Sequence, residues 1–508
     1  MTNRKTIGVI LSYGLVVIDI LVSIFFVPYL LKALGDSEYG VYKLMLSTAS
    51  YLSVLDFGIG GTLTRYIVKY KTENDKQGEE NFSAMGLIIY GFLAVLVLIV
   101  ATIVMFFIPY IYKVSISNEV AREAQWIFLI ICATTAVSLF NHGYNGIINA
   151  YERFTYNKTS NIVKILLRIL LIIFGLKLFN SALLVVIIDF CLAVLLLLVN
   201  IIYTRFSIKS KIQLRKWDWK LAKEAGVFTL AILVQAIINQ FNSNVDNIVL
   251  GIYTTASTVA MYSLVLQIYH IFSGLSTAIS TVYFPSISES VFKGATDEEV
   301  TRKVVEPSRI QLMILCLALT GFYLLGQDFI TLWVGKGYEQ VYLLCCILLT
   351  SSIIDLSQNT MTCVLKAKNM LHGKTMILAI STAINVMITF ILVPIIGAMG
   401  AVIGTAFSML FGYGIALNIY YHKRVHLKMV LYYKETYKGI FFAVLLAGAC
   451  GYLVTTFINI GGWLGFIVEG GIYTALYCIA MLLLGLNKVE KTKLFGVIKK
   501  RLRKKQQN

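Results

Sequence analysis

The stretch LKALGDSEYGVYKLMLSTASYLSVLDFGIGGTLTRYI, residues 31–67, decides how the fold is read. Most of it looks like a membrane-crossing segment, yet it contains Lys43, Asp56 and Arg65. An ionisable side chain at mid-bilayer costs about 2.5–3.5 kcal/mol on insertion scales, so such groups face a wet cavity or a partner rather than lipid. Gly58, Gly60 and Gly61 lead into the arginine, and Lys69 and Lys71 mark the return to water beyond it. Arg65 is thus a fixed cation set before the chain has clearly left the membrane.

The rest of the chain has the same character. Of its 508 residues, 58% are hydrophobic and 14% charged, against about 25% charged in soluble proteins. Mean hydropathy is +0.78. These are the values of an integral membrane protein. A helix needs roughly 20 apolar residues to cross a hydrocarbon core of about 30 Å. Fourteen runs qualify: 7–31, 40–66, 84–111, 124–147, 158–177, 181–203, 222–249, 257–282, 309–331, 341–364, 374–396, 400–421, 438–459 and 465–486. The second, fourth, seventh and tenth are the least apolar. The opening run far exceeds the core of a signal peptide, about 7–15 residues, and is read as the first span. The eight cysteines lie in apolar segments without a C-x-x-C pair, as reduced core residues do.

Charge placement orients these spans. Of 44 Lys and Arg residues, counting those at the ends of runs with the adjoining loops, 36 fall in the termini and loops of one side, 5 on the other, and three (Lys43, Lys164, Arg168) within spans. The positive-inside rule assigns the rich side, with both termini, to the cytoplasm. This asymmetry accounts for the net charge of +18 through anionic lipid rather than nucleic acid. No zinc pattern or RNA-binding signature is present. Two basic amphipathic segments, KSKIQLRKWDWKLAKEAG (209–226) and KTKLFGVIKKRLRKKQQN (491–508), are expected on the inner membrane surface. All five tryptophans fall near expected interfaces.

The longer loops of the rich side alternate with short ones, and the rhythm repeats after six spans. At an offset of 220, Tyr42, Leu44, Leu46, Ser53 and Leu55 fall on Tyr262, Leu264, Leu266, Ser273 and Leu275. These features predict an all-α membrane protein of about fourteen helices. Its parts are a lobe at 1–212, a second in parallel repeat at 213–424, and two further helices with a basic tail at 425–508.

The 31–67 stretch, and LDFGIGGTLTRY within it above all, resembles the N-terminal signature of polysaccharide-biosynthesis flippases. These belong to the superfamily of multidrug (MATE), oligosaccharidyl-lipid and polysaccharide exporters. The resemblance implies two lobes around a central cavity that opens inward and outward in alternation. It implies a bacterial cytoplasmic membrane and a polyprenyl-diphosphate-linked oligosaccharide, an O-antigen, capsular or teichuronic repeat unit, as substrate. Polysaccharide polymerase machinery is the partner that would follow.

The polar residues of the spans supply candidates for that cavity. Lys43 and Arg65 are 22 positions apart, within about 40° on a continuous helix. In NIVKILLRILL, Asn161, Lys164 and Arg168 form one stripe, with Arg168 roughly 15 Å deep. Its alternative role is an ion pair with a neighbouring span, through Asp189 or Asp19. FNHGYNGIIN places Asn141, Asn145 and Asn149 in register, to bind sugar hydroxyls or to join helices. In QAIINQFNSNVD, Gln235, Asn239, Asn242 and Asp246 share a face. Arg65, Lys164, Arg168, Lys43, Asn145, Asn239 and Asn242 are the candidate substrate contacts. Asp19 and Asp246, in corresponding spans of the two lobes, are candidates for H⁺ or Na⁺ coupling. No metal spacing surrounds His142, and no cofactor motif or catalytic constellation is found. A MATE-type cation antiporter or a lipid II-type flippase remains the alternative. Organic cations favour acidic cavities, whereas the candidate lining of the first lobe is basic. An enzyme would present catalytic groups on substantial loops, and the outer loops here are short.

Overall fold

The computed structural model describes residues 18, 21–56, 58–457 and 460–492, those of 220–232 and Val234 by backbone alone. Helix follows helix, with no strand among the described residues. We number them α1 (Leu21–Leu34), α2 (Asp36–Ser50), α3 (Ile59–Thr72), α4 (Lys76–Ile111), α5 (Asn118–Ala150), α6 (Phe154–Leu178) and α7 (Ala182–Ile202). After these come α8 (Trp219–Tyr253), α9 (Ala256–Phe292), α10 (Asp297–Val334), α11 (Glu339–Ser357), α12 (Met361–Ala367) and α13 (Leu371–Ile396). The last are α14 (Ala398–Ser408), α15 (Leu417–Lys423), α16 (Met429–Tyr437), α17 (Ile440–Phe457) and α18 (Gly462–Ala480). Wide π turns extend α7 and α18 and join α14 to α15.

Ten helical segments of the described residues have the length and composition to cross a membrane. Four more stand where the sequence places the first, second, fifth and seventh spans. The fourth and tenth, expected among the weakest, meet the threshold. Large apolar side chains such as Phe92, Phe106, Phe174, Phe442 and Leu464 stand exposed along these helices. Lipid is the solvent that suits them.

The second span departs from expectation in an instructive way. It is two helices, not one: α2 ends at Ser50, a 3₁₀ turn runs Tyr51–Asp56, and Gly58 takes a left-handed φ of 67° before α3 begins. The phase relation between Lys43 and Arg65 therefore does not carry through. Close backbone approach in this region is made by Gly60 and Gly146. A Cβ on Gly146 would stand 2.8 Å from the Gly60 carbonyl oxygen, whereas one on Gly61 meets nothing within 4 Å. Thr64 of α3 donates to the Gly146 carbonyl at 3.0 Å across this contact. Residues 209–218 differ from expectation too, being non-helical chain ahead of α8.

The chain divides by compactness into two units, Met1–Ser263 with Val386–Ala401, and Leu264–Asn385 with Val402–Asn508. The first is built around α5, which packs on α2, α3, α4 and α7. The second is built around α10, against α11, α16, α17 and α18. Arg309, 2% exposed, holds that second unit together. Its guanidinium makes a two-pronged pair with Glu490 at 2.6 and 3.1 Å. It also donates to the carbonyls of Glu435, Thr436, Lys438 and Gly485 at 2.6–3.1 Å. Those carbonyls end α16 and the π turn after α18, where a helix has no partners for its last oxygens and carries its negative dipole end. One buried cation thus satisfies two helix ends and a carboxylate.

Replacing Arg309 by Met strands Glu490 and these carbonyls, at a cost of about 3–5 kcal/mol. The thermal unfolding midpoint of the purified protein in detergent is expected to fall sharply, and an unchanged midpoint would contradict this account. Gly146→Ala, which pushes a methyl onto backbone, is expected to lower it by the equivalent of about 1–3 kcal/mol.

Candidate functional site

The first unit gathers most of the charged residues that the sequence singled out within spans. On α6, Arg168 lies beyond the middle of a 25-residue helix. The neighbouring α7 brings Asp189 to meet it, Nε to Oδ1 at 2.5 Å and Nη2 to Oδ2 at 2.9 Å. This fork-to-carboxylate geometry is the strong form of the ion pair. The same guanidinium reaches the Tyr42 hydroxyl on α2 at 3.4 Å and lies 5.7 Å from the Phe26 ring on α1. Arg168 therefore has the local partner that the sequence offered as its alternative. Asp189 is 21 positions on in the chain, so only the α6–α7 hairpin brings the two together.

Two further cations surround this pair. Lys43, one residue after Tyr42, lies 5.3 Å from the Tyr39 ring and within electrostatic reach of Arg168. Lys164, one turn from Arg168, interacts with both Asp189 and Arg168. Counted formally, Arg168, Lys43 and Lys164 against Asp189 leave two positive charges in excess, with Lys43 meeting Arg168 rather than the carboxylate. Lys164 also lines a crevice of about 420 Å³ between α6 and α7, walled by Val163, Leu167, Leu192, Leu195 and Val199.

The remaining candidates lie elsewhere. Arg65 is exposed on α3, beyond the break. The asparagine stripe of α5 is largely occupied by helix contacts. Asn141 donates to the Ala193 carbonyl and accepts from Asn200, while Asn149 accepts from Asn157. Asn145 alone of the three makes no side-chain hydrogen bond among the described residues. On α8, Asn239 is exposed and Asn242 half-buried. Asp246 is buried, accepting from Tyr262 at 2.6 Å and Thr389 at 3.3 Å. Asp19 lies outside the described residues. Tyr42 and Tyr262, which the internal offset aligns, thus each contact a charged group. Asp56 accepts from Tyr90 at 2.8 Å and stands 3.3 Å from Nδ1 of His142.

Two features went unread in the sequence. Tyr42 appeared only as a repeat match, and nothing in its local pattern announces contact with Arg168. In the second unit a crevice of about 440 Å³ runs between α10 and α18, lined by Leu317, Phe322, Leu325, Phe329 and Phe466. It is a slot for an apolar chain rather than a polar head.

The pair is testable by a double-mutant cycle. Arg168→Ala and Asp189→Ala are each expected to destabilise, the double variant by less than their sum, with a coupling of about 0.5–3 kcal/mol in thermal unfolding. Strict additivity would remove the pair from the architecture.

Known proteins supply a frame for this geometry. Residues 6–291 match the family model described as polysaccharide biosynthesis protein. A probable flippase of Haloferax volcanii, AglR, is 30% identical over 170 residues, which are 33% of this chain and 35% of that protein. The match thus spans about a third of that relative's length. Among solved structures the chain is similar to the lipid II flippase MurJ in an inward closed conformation. The TM-score is 0.71 at 15% identity, over 94% of this chain and 98% of that one. It is also similar to an inward-facing multidrug resistance MATE family transporter of the MOP superfamily, at a TM-score of 0.56 and 14% identity, over 76% and 92%. At such identities the likeness is one of fold.

Proposed function

Because the chain belongs to the polysaccharide biosynthesis protein family, we propose that it flips a polyprenyl-diphosphate-linked oligosaccharide from the cytoplasmic to the outer leaflet of a bacterial cytoplasmic membrane. The multi-pass helical fold of MOP-superfamily transporters is the frame for this reading. The observation that carries it is the excess positive charge around Arg168. Asp189 is already committed to the arginine, so Lys43 and Lys164 are the groups with capacity for an incoming anion. A diphosphate crossing a region of low dielectric needs compensation of that sign, and charge-assisted hydrogen bonds from ammonium groups provide it. In this proposal Arg168, fixed by Asp189 and Tyr42, sets the local potential. Arg65 receives the head group at the cytoplasmic mouth.

Asn145, Asn239 and Asn242 hold sugar hydroxyls, and the prenyl chain stays in lipid or in apolar crevices of the kind found beside α10 and α18. Rocking of the lobes 1–212 and 213–424 moves the head group outward. Asp246 or Asp19 couples the step to H⁺ or Na⁺, and polymerase machinery receives the product. Binding must stay weak enough to allow release. The same charge argues against an organic-cation antiporter. A lipid II-type substrate carries the same diphosphate, so the glycan decides between the two flippase readings.

In proteoliposomes loaded with lipid-linked oligosaccharide, Lys43→Met and Lys164→Met are expected to slow translocation at least about tenfold, the loss of one charge-assisted contact. Both positions are cleaner tests than Arg168, whose removal also strands Asp189. Normal folding with unchanged translocation in both variants would falsify the cationic-site mechanism. In cells, deletion should abolish surface polysaccharide and trap lipid-linked units inside. Drug hypersensitivity with normal polysaccharide would favour the antiporter.

A further inference from the structure

A second basic site lies at the end of α7 that the loop charges assign to the cytoplasm. The π turn Tyr203–Ile208 and the chain after it enclose a cavity of about 610 Å³ against Tyr144 of α5. That is within the roughly 300–1,000 Å³ of small-molecule sites. Arg205, Lys209 and Lys211 line it, together with Ser210 and Gln213. None of the three cations has an ion-pair partner among the described residues. The nearby acids are engaged elsewhere: Glu79 accepts from Tyr151, and Glu80 pairs with Arg215 at 3.2 Å. Thr204, 1% exposed, is another wall of the cavity, and its Oγ1 has no hydrogen-bond partner. A ligand oxygen would supply the hydrogen bond that this hydroxyl lacks.

The backbone that carries these side chains is held on either side. Lys209 sits in the left-handed region at φ 59°, unfavourable for a residue with a side chain. Its N–H and that of Ser210 both point to the Thr204 carbonyl. Further along, Asn81 of α4 accepts from the N–H groups of Arg215 and Lys216 and donates to the Lys216 carbonyl at 2.8 Å. The segment is strapped at both ends with its cations turned to one cavity. That arrangement holds an anion with several oxygens, each able to accept a hydrogen bond.

The geometry points to a binding site for a phosphate-bearing lipid head group at the inner membrane surface, held by Arg205, Lys209 and Lys211 with the Thr204 hydroxyl. Binding here is read without any transport step, so its outcome is independent of the flippase reading. The full-length protein is placed in nanodiscs of phosphatidylcholine doped with phosphatidylglycerol, and the co-purifying lipid is counted by native mass spectrometry. Arg205→Gln with Lys209→Gln and Lys211→Gln is expected to lower phosphatidylglycerol retention at least about tenfold. Thr204→Val is expected to lower it about threefold. Phosphatidylcholine retention should not change.

A control that removes Lys423, Arg424 and Lys428 in the same way, from exposed positions of the second unit, should have little effect. Added long-chain polyprenyl diphosphate separates the two sources of phosphate. Displacement of phosphatidylglycerol from the wild type assigns the site to the diphosphate lipid as well, and no displacement assigns it to phospholipid. Equal retention by wild type and triple variant, or an equal loss in the control, overturns the site. Should the triple variant misfold, Arg205→Gln and Thr204→Val singly decide, since both must reduce retention if the site exists.

Discussion

Within a membrane, an ionised side chain must be matched where it sits. That constraint shapes both units of this protein. Arg168 is matched by Asp189 across the α6–α7 hairpin, and Arg309 by Glu490 and four carbonyl oxygens. The solutions differ in kind. The Arg309 site is closed, with every donor direction used on Glu490 or on helix-end carbonyls, so it serves architecture. The Arg168 site is matched at the arginine but not across the whole cluster, because Lys43 and Lys164 add charge that one carboxylate does not cancel.

In the proposed function this difference separates a structural cation from one that meets substrate. A closed cage leaves an incoming anion nothing to gain. A cluster with residual positive charge would attract one, which is the premise of the proposed function. The ion pair and the proposed role in substrate transfer are therefore complementary. The fork that removes Arg168 as a free ligand also fixes its position beside Lys43 and Lys164.

Backbone irregularities lie beside these groups. The second span breaks at the 3₁₀ turn and Gly58, next to Asp56 with its tyrosine and histidine neighbours. The π turn closing α7 opens the space that Arg205 and Lys209 line. Non-helical backbone at membrane depth is tolerated where protein or water satisfies it. A polar lining is thus both the reason for such a break and its support.

The all-helical, membrane-crossing character of the chain was legible in the sequence, because twenty apolar residues in a row have one economical solution in lipid. The family was legible too, through LDFGIGGTLTRY. That Lys164 and Arg168 share a stripe followed from helical period alone, since α6 is unbroken between them. What the sequence could not settle was anything passing through a break or between helices. Lys43 and Arg65 looked aligned only while the span was taken as one rod. Whether Asn141 and Asn149 bind sugar or join helices stayed open until Asn200 and Asn157 proved to be their partners. Asp189 and Tyr42 meet Arg168 only because three helices pack together, and Glu490 is 181 positions from Arg309. Periodicity reports a residue's direction about its own axis, and hydropathy reports whether that axis lies in lipid. Which charge answers which is decided by side chains a few ångströms apart in space and far apart in the chain, and that belongs to the tertiary structure.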